Sequence, residues 1–375
     1  MSAGFFMAKD QNQVNLFVNG AIYSGWQEVT ITADIMSLAR TFTVVATRSL
    51  SGKSLVVGIE PGSEVVVKIG DDVVLTGFVT KVVTEYDSGK ISIKIDGASK
   101  TRNLEECTLP EGRPKAYLNQ TYAQILGEVC KSFGIKVVDQ AGFTNKVDFN
   151  LSVTEKVGSA LGDFLRSNSL HLMDDENGNL VIAKTGSNGN SADILKFGVN
   201  VLSGTRTQDC SKRYRTYQVV GQPTNPFSEL PVSSLSQIKK AEDKDFSAKE
   251  RVCTYLLAGN ATAKRMQDYV ELLRDHAKAE SDELVYTVQG WRQSNGKLWR
   301  ENTAVVVKDE FLGIDGRYLI WKVAYKLSNG GGMTTNLLLK SKDAFLVTDG
   351  PEKSTKPNWD SVKAGSGMTG NTTWT

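Results

Sequence analysis

Histidine and cysteine are scarce in this sequence of 375 residues. It contains two histidines, His171 and His276, and four cysteines with no CxxC spacing. Zinc sites and disulfide frameworks need denser clusters of these residue types. We therefore expect reduced, structural thiols in a protein made in the cytosol, with no metal site and no cofactor. The cysteines are Cys107, Cys130, Cys210 and Cys253.

A surplus of either charge is also lacking. Lys and Arg number 44 and Asp and Glu number 42, for a formal charge of +2. A dedicated nucleic-acid binder would carry a clear basic excess, so this balance argues against that class. No stretch approaches the ~20 consecutive apolar residues of a membrane helix. The apolar run before Lys9 lacks a basic flank and is too short for a signal peptide.

Residues 14–99 are predicted to form a first small β-barrel domain, after an N-terminal extension over 1–13. Asn19-Gly20 between two apolar runs predicts a tight hairpin. Val29, Ile31, Ala33 and Ile35 alternate with polar residues, which is typical of a half-buried strand. Six or more short strands separated by regular turns, with no helix, indicate a barrel or sandwich.

Residues 100–190 are predicted to form a small α+β domain. Apolar residues between Tyr122 and Phe133 recur at helical spacing, and Thr121 with Gln124 forms a possible capping box. A second helix is predicted from about Thr154, followed by a hairpin that turns at Asn177-Gly178. The Gly- and Ser-rich stretch 185–192 has linker composition.

A second small β-barrel domain is predicted from 191–221 and 283–348. The segment between these parts, 222–282, is predicted to be an insertion with a helix over 262–281, where Met266, Tyr269 and Val270 belong to the apolar stripe. The polar residues 349–375 are predicted to be a flexible tail in which Trp359 and Trp374 are possible anchors. The predicted fold class is thus mainly β, with two small tail-tube-like β-barrel domains, an α+β domain between them and an inserted helical segment.

Several motifs come close to known catalytic or binding sites and then depart from them. Gly52-Lys53-Ser54 lacks the upstream glycine of a phosphate loop, and a turn is favoured there. The acidic run 174–178 would place Met173 at the first ligand position of a calcium loop, so a solvated hairpin turn is favoured. His171 is interpreted as structural and His276 as a surface helix residue. With no GxSxG elbow either, an enzyme is not expected.

The most distinctive motif surrounds two tryptophans of the second β region. It comprises Gly290, Trp291, Gly296, Leu298 and Trp299, with a strand that leads through a glycine-containing turn to the second ring. Either ring can be part of a barrel core or an anchor between subunits. If the rings are core, Trp→Ala should cost about 3–5 kcal/mol of stability. If they are anchors, the variant should stay folded and lose assembly.

These residues resemble the baseplate hub proteins of contractile-tailed, Mu-like phages, the late-control D family. The resemblance extends from about residue 14 to 347. It departs from the family at Glu301, where proline is expected, and in the tail after Val347. Four stretches carry it: 19–26 with 35–44, 97–104, the helix end near 281 with 288–302, and 318–345.

The resemblance implies two barrels of similar fold in one chain and a ring of three chains. Such a homotrimer presents a pseudo-sixfold surface to the hexameric tail tube protein and a threefold surface to a trimeric tail spike protein. Other baseplate proteins are further partners, and DNA contacts the channel only in transit. The implied location is the tail baseplate of a virion, assembled in the host cytoplasm.

Two other functions remain open at this stage. The same domain pattern occurs in hubs of contractile injection or secretion particles, whose cargo is protein. A hub fused to its spike would continue into a long β-repeat, whereas the short polar tail favours a separate spike protein. A cell-wall hydrolase carried on the tail is the third possibility, and its signature would be a placed acid/base pair of side chains.

Overall fold

The computed structural model describes residues 11–49, 58–152, 154–161, 171–221, 237–257 and 263–341. Strands dominate these residues, which confirms the mainly β class. Eleven strands of the described chain follow one another along a single large sheet, and two more branch from it. Closure of either part into a barrel stays a prediction.

The first β region forms one end of this sheet. Asn19 and Gly20 both have positive φ, and the hairpin predicted at this pair is confirmed. Val29 and Ile31 are buried, as the alternation in β3 predicts. Its strands are β1 (Val14–Val18), β2 (Ala21–Tyr23), β3 (Glu28–Asp34), β4 (Thr41–Ser49), β5 (Glu64–Ile69), β6 (Asp72–Tyr86) and β7 (Lys90–Ser99).

The α+β unit follows and has its own core. The capping box of Thr121 and Gln124 is confirmed, and the helix it opens buries Ile125, Leu126 and Val129. Residues 157–161 are helical, at the start of the second predicted helix. The elements are α1 (Arg102–Glu106), β8 (Ala116–Thr121), α2 (Tyr122–Lys131), β9 (Val137–Asp139), β10 (Lys146–Asn150), β11 (Leu172–Asp174) and β12 (Leu180–Ile182).

The second β region continues the large sheet. It joins the first region directly, because β20 pairs antiparallel with β3 from Lys322–Asp34 to Leu327–Val29. One apolar core therefore extends through both regions, from Leu16 to Leu339. Its strands are β13 (Leu195–Lys196), β14 (Val201–Gln208), β18 (Asp282–Gln289), β19 (Ala304–Asp309), β20 (Ile314–Ser328) and β21 (Gly332–Ser341).

The two β regions repeat one arrangement of five strands. The neighbours β3-β4-β7-β6-β5 of the first correspond to β14-β18-β21-β20-β19 of the second, in the same chain order. β6 and β20 have 15 residues each, and β7 and β21 have 10 each. A register shift falls between Val79 and Lys81 in β6 and between Ile320 and Lys322 in β20. This shared irregularity aligns the repeats residue by residue.

An inserted unit has a small sheet of its own, separate from the large sheet. The predicted strand near 215–221 exists as β15, but it pairs with β16 and β17 and not with the second β region. The predicted helix is confirmed and packs Met266 and Val270 on this small sheet beside Tyr217. No helix in the described ranges is long and apolar enough to cross a membrane. The elements are β15 (Thr216–Gly221), β16 (Gln237–Glu242), β17 (Val252–Leu257) and α3 (Ala263–Glu280).

Several predictions fall outside the described residues. These are the N-terminal extension before residue 11, the turn at Gly52-Lys53-Ser54, the end of the second helix at Phe164 and Leu165, and the tail with Trp359 and Trp374.

Candidate functional site

The tryptophan motif forms a hairpin-like loop, the Trp hairpin (residues 290–299), at the end of β18. Gly290 and Gly296 both have positive φ, which favours glycine at these two bends. The Trp299 backbone N–H donates to the Trp291 carbonyl at 3.1 Å, and this bond closes the loop. The sequence-predicted motif is thus one compact structural element.

Both indole rings of this loop are buried within the chain. Trp291 is 1% exposed, and its indole N–H donates to the Lys326 and Thr334 carbonyls at 3.1 Å each. Trp299 is 2% exposed and Leu298 is 5% exposed. The Tyr325 hydroxyl donates to the Trp299 carbonyl. This geometry favours the core interpretation, because neither ring is available to a partner in the folded chain.

Arg292 connects the Trp hairpin to the first β region. Its guanidinium donates to Asp72 at 2.7 Å and to the Gln11 and Ile69 carbonyls at 2.8 and 3.2 Å. These acceptors belong to the β5–β6 turn and to the segment before β1. The Trp hairpin therefore holds the two β regions together at a second place, beside the β3–β20 pairing.

The predicted linker at 185–192 is anchored and not free. The Asn302 side chain accepts from the Gly186 N–H at 2.7 Å and donates to the Lys184 carbonyl at 3.0 Å. Farther along, Gln293 of the Trp hairpin accepts from the Ala192 N–H at 2.7 Å. The Gly- and Ser-rich composition therefore supplies tight turns that follow the second β region closely.

The site that sequence reasoning missed is a buried ion-pair cluster, the Arg40 junction (Arg40, Asp174 and Glu301). Arg40 follows β3, Asp174 ends β11, and Glu301 precedes β19. The Arg40 guanidinium donates to Asp174 at 3.1 Å and to Glu301 at 2.9 Å. These three side chains come from the first β region, the α+β unit and the second β region, so they join all three.

Further hydrogen bonds complete the Arg40 junction. The guanidinium also donates to the carbonyls of Val74 and Asp174, both at 3.0 Å. Burial by itself would lower the pKa of Arg40, but the two carboxylates raise it above its ordinary value. Glu301, one of the expected departures from the family resemblance, supplies one of these carboxylates.

The acidic hairpin turn at 174–178 is confirmed as a turn with an exposed tip at Asn177, but its predicted solvation is wrong at Asp174 and Gly178. Asp174 is 2% exposed, and Gly178 is buried against the Thr76 carbonyl, where an added Cβ would approach to 2.7 Å. Glu176 forms an ion pair with Arg300 at 2.9 Å. Asp174 and Glu176 therefore form contacts between units, whereas Asp175 accepts from Asn177 and Asn179 within the turn itself.

The two histidines come together at the same boundary, although 105 positions separate them in the sequence. His171 is buried, as a structural histidine should be. His276 is half-buried and lies 6.2 Å from Trp321, so its interpretation as a surface residue is wrong. The Lys340 ammonium group also contacts Trp321 and lies over its ring, 4.2 Å from the ring centre. Among the described residues, no three His, Cys, Asp or Glu side chains cluster as a metal site requires.

Acidification is expected to destabilise the chain through His171. Burial, helped by the charge of His276, lowers the pKa of His171 from 6.5 to about 4. The folded state resists protonation of His171, whereas the unfolded chain binds that proton below about pH 6.5. The stability that the neutral imidazole contributes is therefore complete above pH 6.5 and is lost as the pH falls toward 4. The loss is roughly 3 kcal/mol by linkage. Urea unfolding at pH 7.5 and 4.5 should show a smaller loss for His171→Gln than for the wild-type chain, and equal losses would contradict this assignment.

The four cysteines are free thiols in the structure, and Cys130 is buried. Burial raises the pKa of Cys130 to about 12. The thiolate is the reactive form of cysteine, so this side chain is inert at neutral pH.

Three family models match successive parts of the chain. Residues 13–99 match the N-terminal domain of Mu phage baseplate assembly protein GpP-like, and residues 101–184 match the second domain of baseplate hub protein gp44-like. Residues 262–348 match the fourth domain of Mu phage baseplate assembly protein GpP. The first match covers the first repeated β arrangement, and the last covers four strands of the second, β18 to β21, without β14.

Individual proteins match nearly the whole chain. It is 25% identical over 361 residues to baseplate hub protein gp44 of Escherichia phage Mu, covering 93% of each chain. The 43 kDa tail protein of prophage MuSo2 from Shewanella oneidensis is similar in structure, with a TM-score of 0.78 and 26% identity over 89% of this chain and 99% of that one. A tail protein from Neisseria meningitidis MC58 also has a TM-score of 0.78, with 19% identity over 89% and 98% of the two chains.

Proposed function

Because the chain belongs to the Mu-like baseplate hub proteins, we propose that three copies form a ring that connects the hexameric tail tube to the trimeric spike. In this proposal the ring is also the conduit through which DNA leaves the particle. The hub is a structural component of the virion baseplate and performs no catalysis.

The observation that carries the proposal is the internal repeat. One chain holds two copies of the same five-strand arrangement, so three chains present six such units. Six units in a ring match the symmetry of a hexameric tube, while the α+β and inserted units follow the threefold symmetry that a trimeric spike needs. The Arg40 junction and the β3–β20 pairing fix the two repeats within one rigid chain.

The near-neutral charge supports the conduit role. DNA binding gains much of its affinity from neutralised phosphates, and a strongly basic channel would hold the passing genome. With 44 basic and 42 acidic residues, the chain as a whole has little tendency to retain DNA.

The test is assembly with the tube and spike proteins of the same particle. Light scattering after size exclusion should give a species of three 40.9-kDa chains, seen as a ring with a central hole in negative stain. This ring should bind a tube end on one face and a spike on the other. A chain that stays monomeric with both partner proteins present would contradict the proposal.

A further inference from the structure

The internal repeat leaves one strand edge open where its counterpart is paired. In the second β region, the first half of β20 pairs with β19, and Lys322–Leu327 of the second half pair with β3. In the first β region, β5 covers β6 only as far as Phe78. In the part of the chain that the structure describes, no strand pairs with that edge of residues 81–86.

A second open edge lies at the far end of the large sheet. β14 pairs with β18 on one side and ends the strand order of the described chain on the other. In the repeat, β14 corresponds to β3, the strand that occupies the edge of β20. The chain thus carries both halves of the β3–β20 contact a second time: β14 at one end of the sheet, and the uncovered second half of β6 seven strands away.

The charges at these two edges are complementary in the same way. Within the chain, Lys322 forms an ion pair with Asp34 at 3.6 Å. The shared register shift aligns Lys81 with Lys322, and the strand registers align Asp209 with Asp34. Both counterparts, Lys81 and Asp209, are exposed.

The turn after each aspartate is also the same. Asp34 accepts from the backbone N–H of Met36 at 2.9 Å, and Asp209 accepts from that of Ser211 at 2.8 Å. Each carboxylate is therefore fixed by a hydrogen bond from a backbone N–H two positions ahead of it. Asp34 also forms the ion pair with Lys322, whereas Asp209 forms no ion pair with another strand of the described chain.

Burial shows what a partner would cover. Val323 and Ala324 of β20 are 0% and 8% exposed beneath β3. Their counterparts Val82 and Val83 are only half-buried, and Tyr86, the counterpart of half-buried Leu327, is 83% exposed. An uncovered strand edge with apolar side chains invites pairing with another chain.

We propose that the open edge of β6 in one copy of this chain pairs antiparallel with β14 of the next copy. The register is that of β20 with β3, which sets Lys81 opposite Asp209, Val83 opposite Thr207 and Tyr86 opposite Gly204. Such a head-to-tail contact joins unlike surfaces and closes into a ring when the rotation allows it. The number of copies rests on the proposed function, but the contact itself rests on the repeat.

Charge reversal tests the ion pair in this contact. Lys81→Glu places like charges opposite each other, as does Asp209→Lys, and each should raise the concentration needed for half-assembly at least about tenfold. The double variant restores an opposite pair and should return assembly to near the wild-type concentration. Lys240→Glu, at an exposed lysine of β16 outside the large sheet, is the matched control. Sedimentation velocity is run with and without the tube and spike proteins.

Crosslinking tests the register independently. The Ile35 N–H donates to the Trp321 carbonyl at 2.9 Å, and the repeat aligns Ile35 with Cys210 and Trp321 with Thr80. In Thr80→Cys, the new thiol should lie beside the natural Cys210 of the next copy. A short bis-maleimide should then link chains, and Cys210→Ser in the same background should abolish that link.

The outcomes separate this contact from the hub function. If the wild-type chain forms the ring but neither reversal nor crosslinking responds as stated, the contact is wrong and the hub proposal stands. If the wild-type chain forms no oligomer even with tube and spike present, both fall. Rescue by the double reversal together with a Cys210-dependent crosslink establishes the contact.

Discussion

Arg40→Ala is expected to lower the free energy of unfolding by about 3–5 kcal/mol, the usual cost of removing one partner from a buried ion pair. The variant leaves the Asp174 and Glu301 carboxylates buried without a cation. It also removes donors to the Val74 and Asp174 carbonyls. Because the β3–β20 pairing and a shared core still join the two β regions, we expect the α+β unit to separate from them before it unfolds. Urea denaturation, monitored by fluorescence and by proteolysis between the units, measures both effects.

The pH dependence gives this prediction a distinctive signature. Burial raises the pKa of Asp174, and Arg40 opposes that shift. Without Arg40, the carboxyl should bind a proton at a higher pH, which relieves the uncompensated charge. The stability deficit of Arg40→Ala should therefore be largest near neutral pH and shrink on acidification.

Two further variants serve as controls for the Arg40 junction. Arg102→Ala removes an exposed arginine paired with Glu105 and Glu106 at 2.9 and 2.7 Å, and should cost less than about 1 kcal/mol. Arg40→Lys keeps the charge but lacks the planar fork that reaches several acceptors, so most of the loss should remain. A cost for Arg40→Ala no larger than that for Arg102→Ala would refute a structural role for the junction.

The elements of this chain were predictable wherever the signal is local. The alternation of Val29 and Ile31 identifies β3, and Asn19-Gly20 identifies the β1–β2 hairpin, because side-chain period and positive φ are properties of neighbouring residues. Thr121 and Gln124 likewise identify the start of α2. Each of these needs at most a dozen residues of context.

What joins the elements was not predictable, since it depends on residues far apart in sequence. Arg40 finds its acceptors 134 and 261 positions away. The pattern of a strand does not specify which strand it pairs with either. The alternation in β15 resembles that of the large sheet, yet β15 pairs with β16 and β17 of the inserted unit. The acidic turn at Asp174 has the composition of a solvated loop. The Asp174 carboxylate can be buried because Arg40, distant in sequence, forms an ion pair with it. One signal was available in the sequence. Arg40 lies between two apolar strands, and a charged residue in such a position is seldom buried unless it is paired.

Trp291→Ala is expected to cost about 3–5 kcal/mol, because a large ring leaves a cavity in a core shared by both β regions. Its T-shaped contact with Tyr325, at 6.4 Å between ring centres, is lost as well. The indole N–H bonds to Lys326 and Thr334 tie the Trp hairpin to β20 and β21. Thermal and urea unfolding of the purified variant measure the loss.

Phenylalanine substitutions separate the hydrogen bond from the volume of the ring. Trp291→Phe keeps most of the apolar body but leaves two strand carbonyls with one donor fewer, at about 1–2 kcal/mol. Trp299 is the matched comparison, because its buried indole N–H has no acceptor among the described residues. Trp299→Phe should therefore cost less than Trp291→Phe, since it removes an unsatisfied donor with the volume. If Trp291→Ala were as stable as the wild-type chain yet failed to assemble, the ring would be an anchor between subunits, and the burial seen in one chain would have to change when the ring of copies forms.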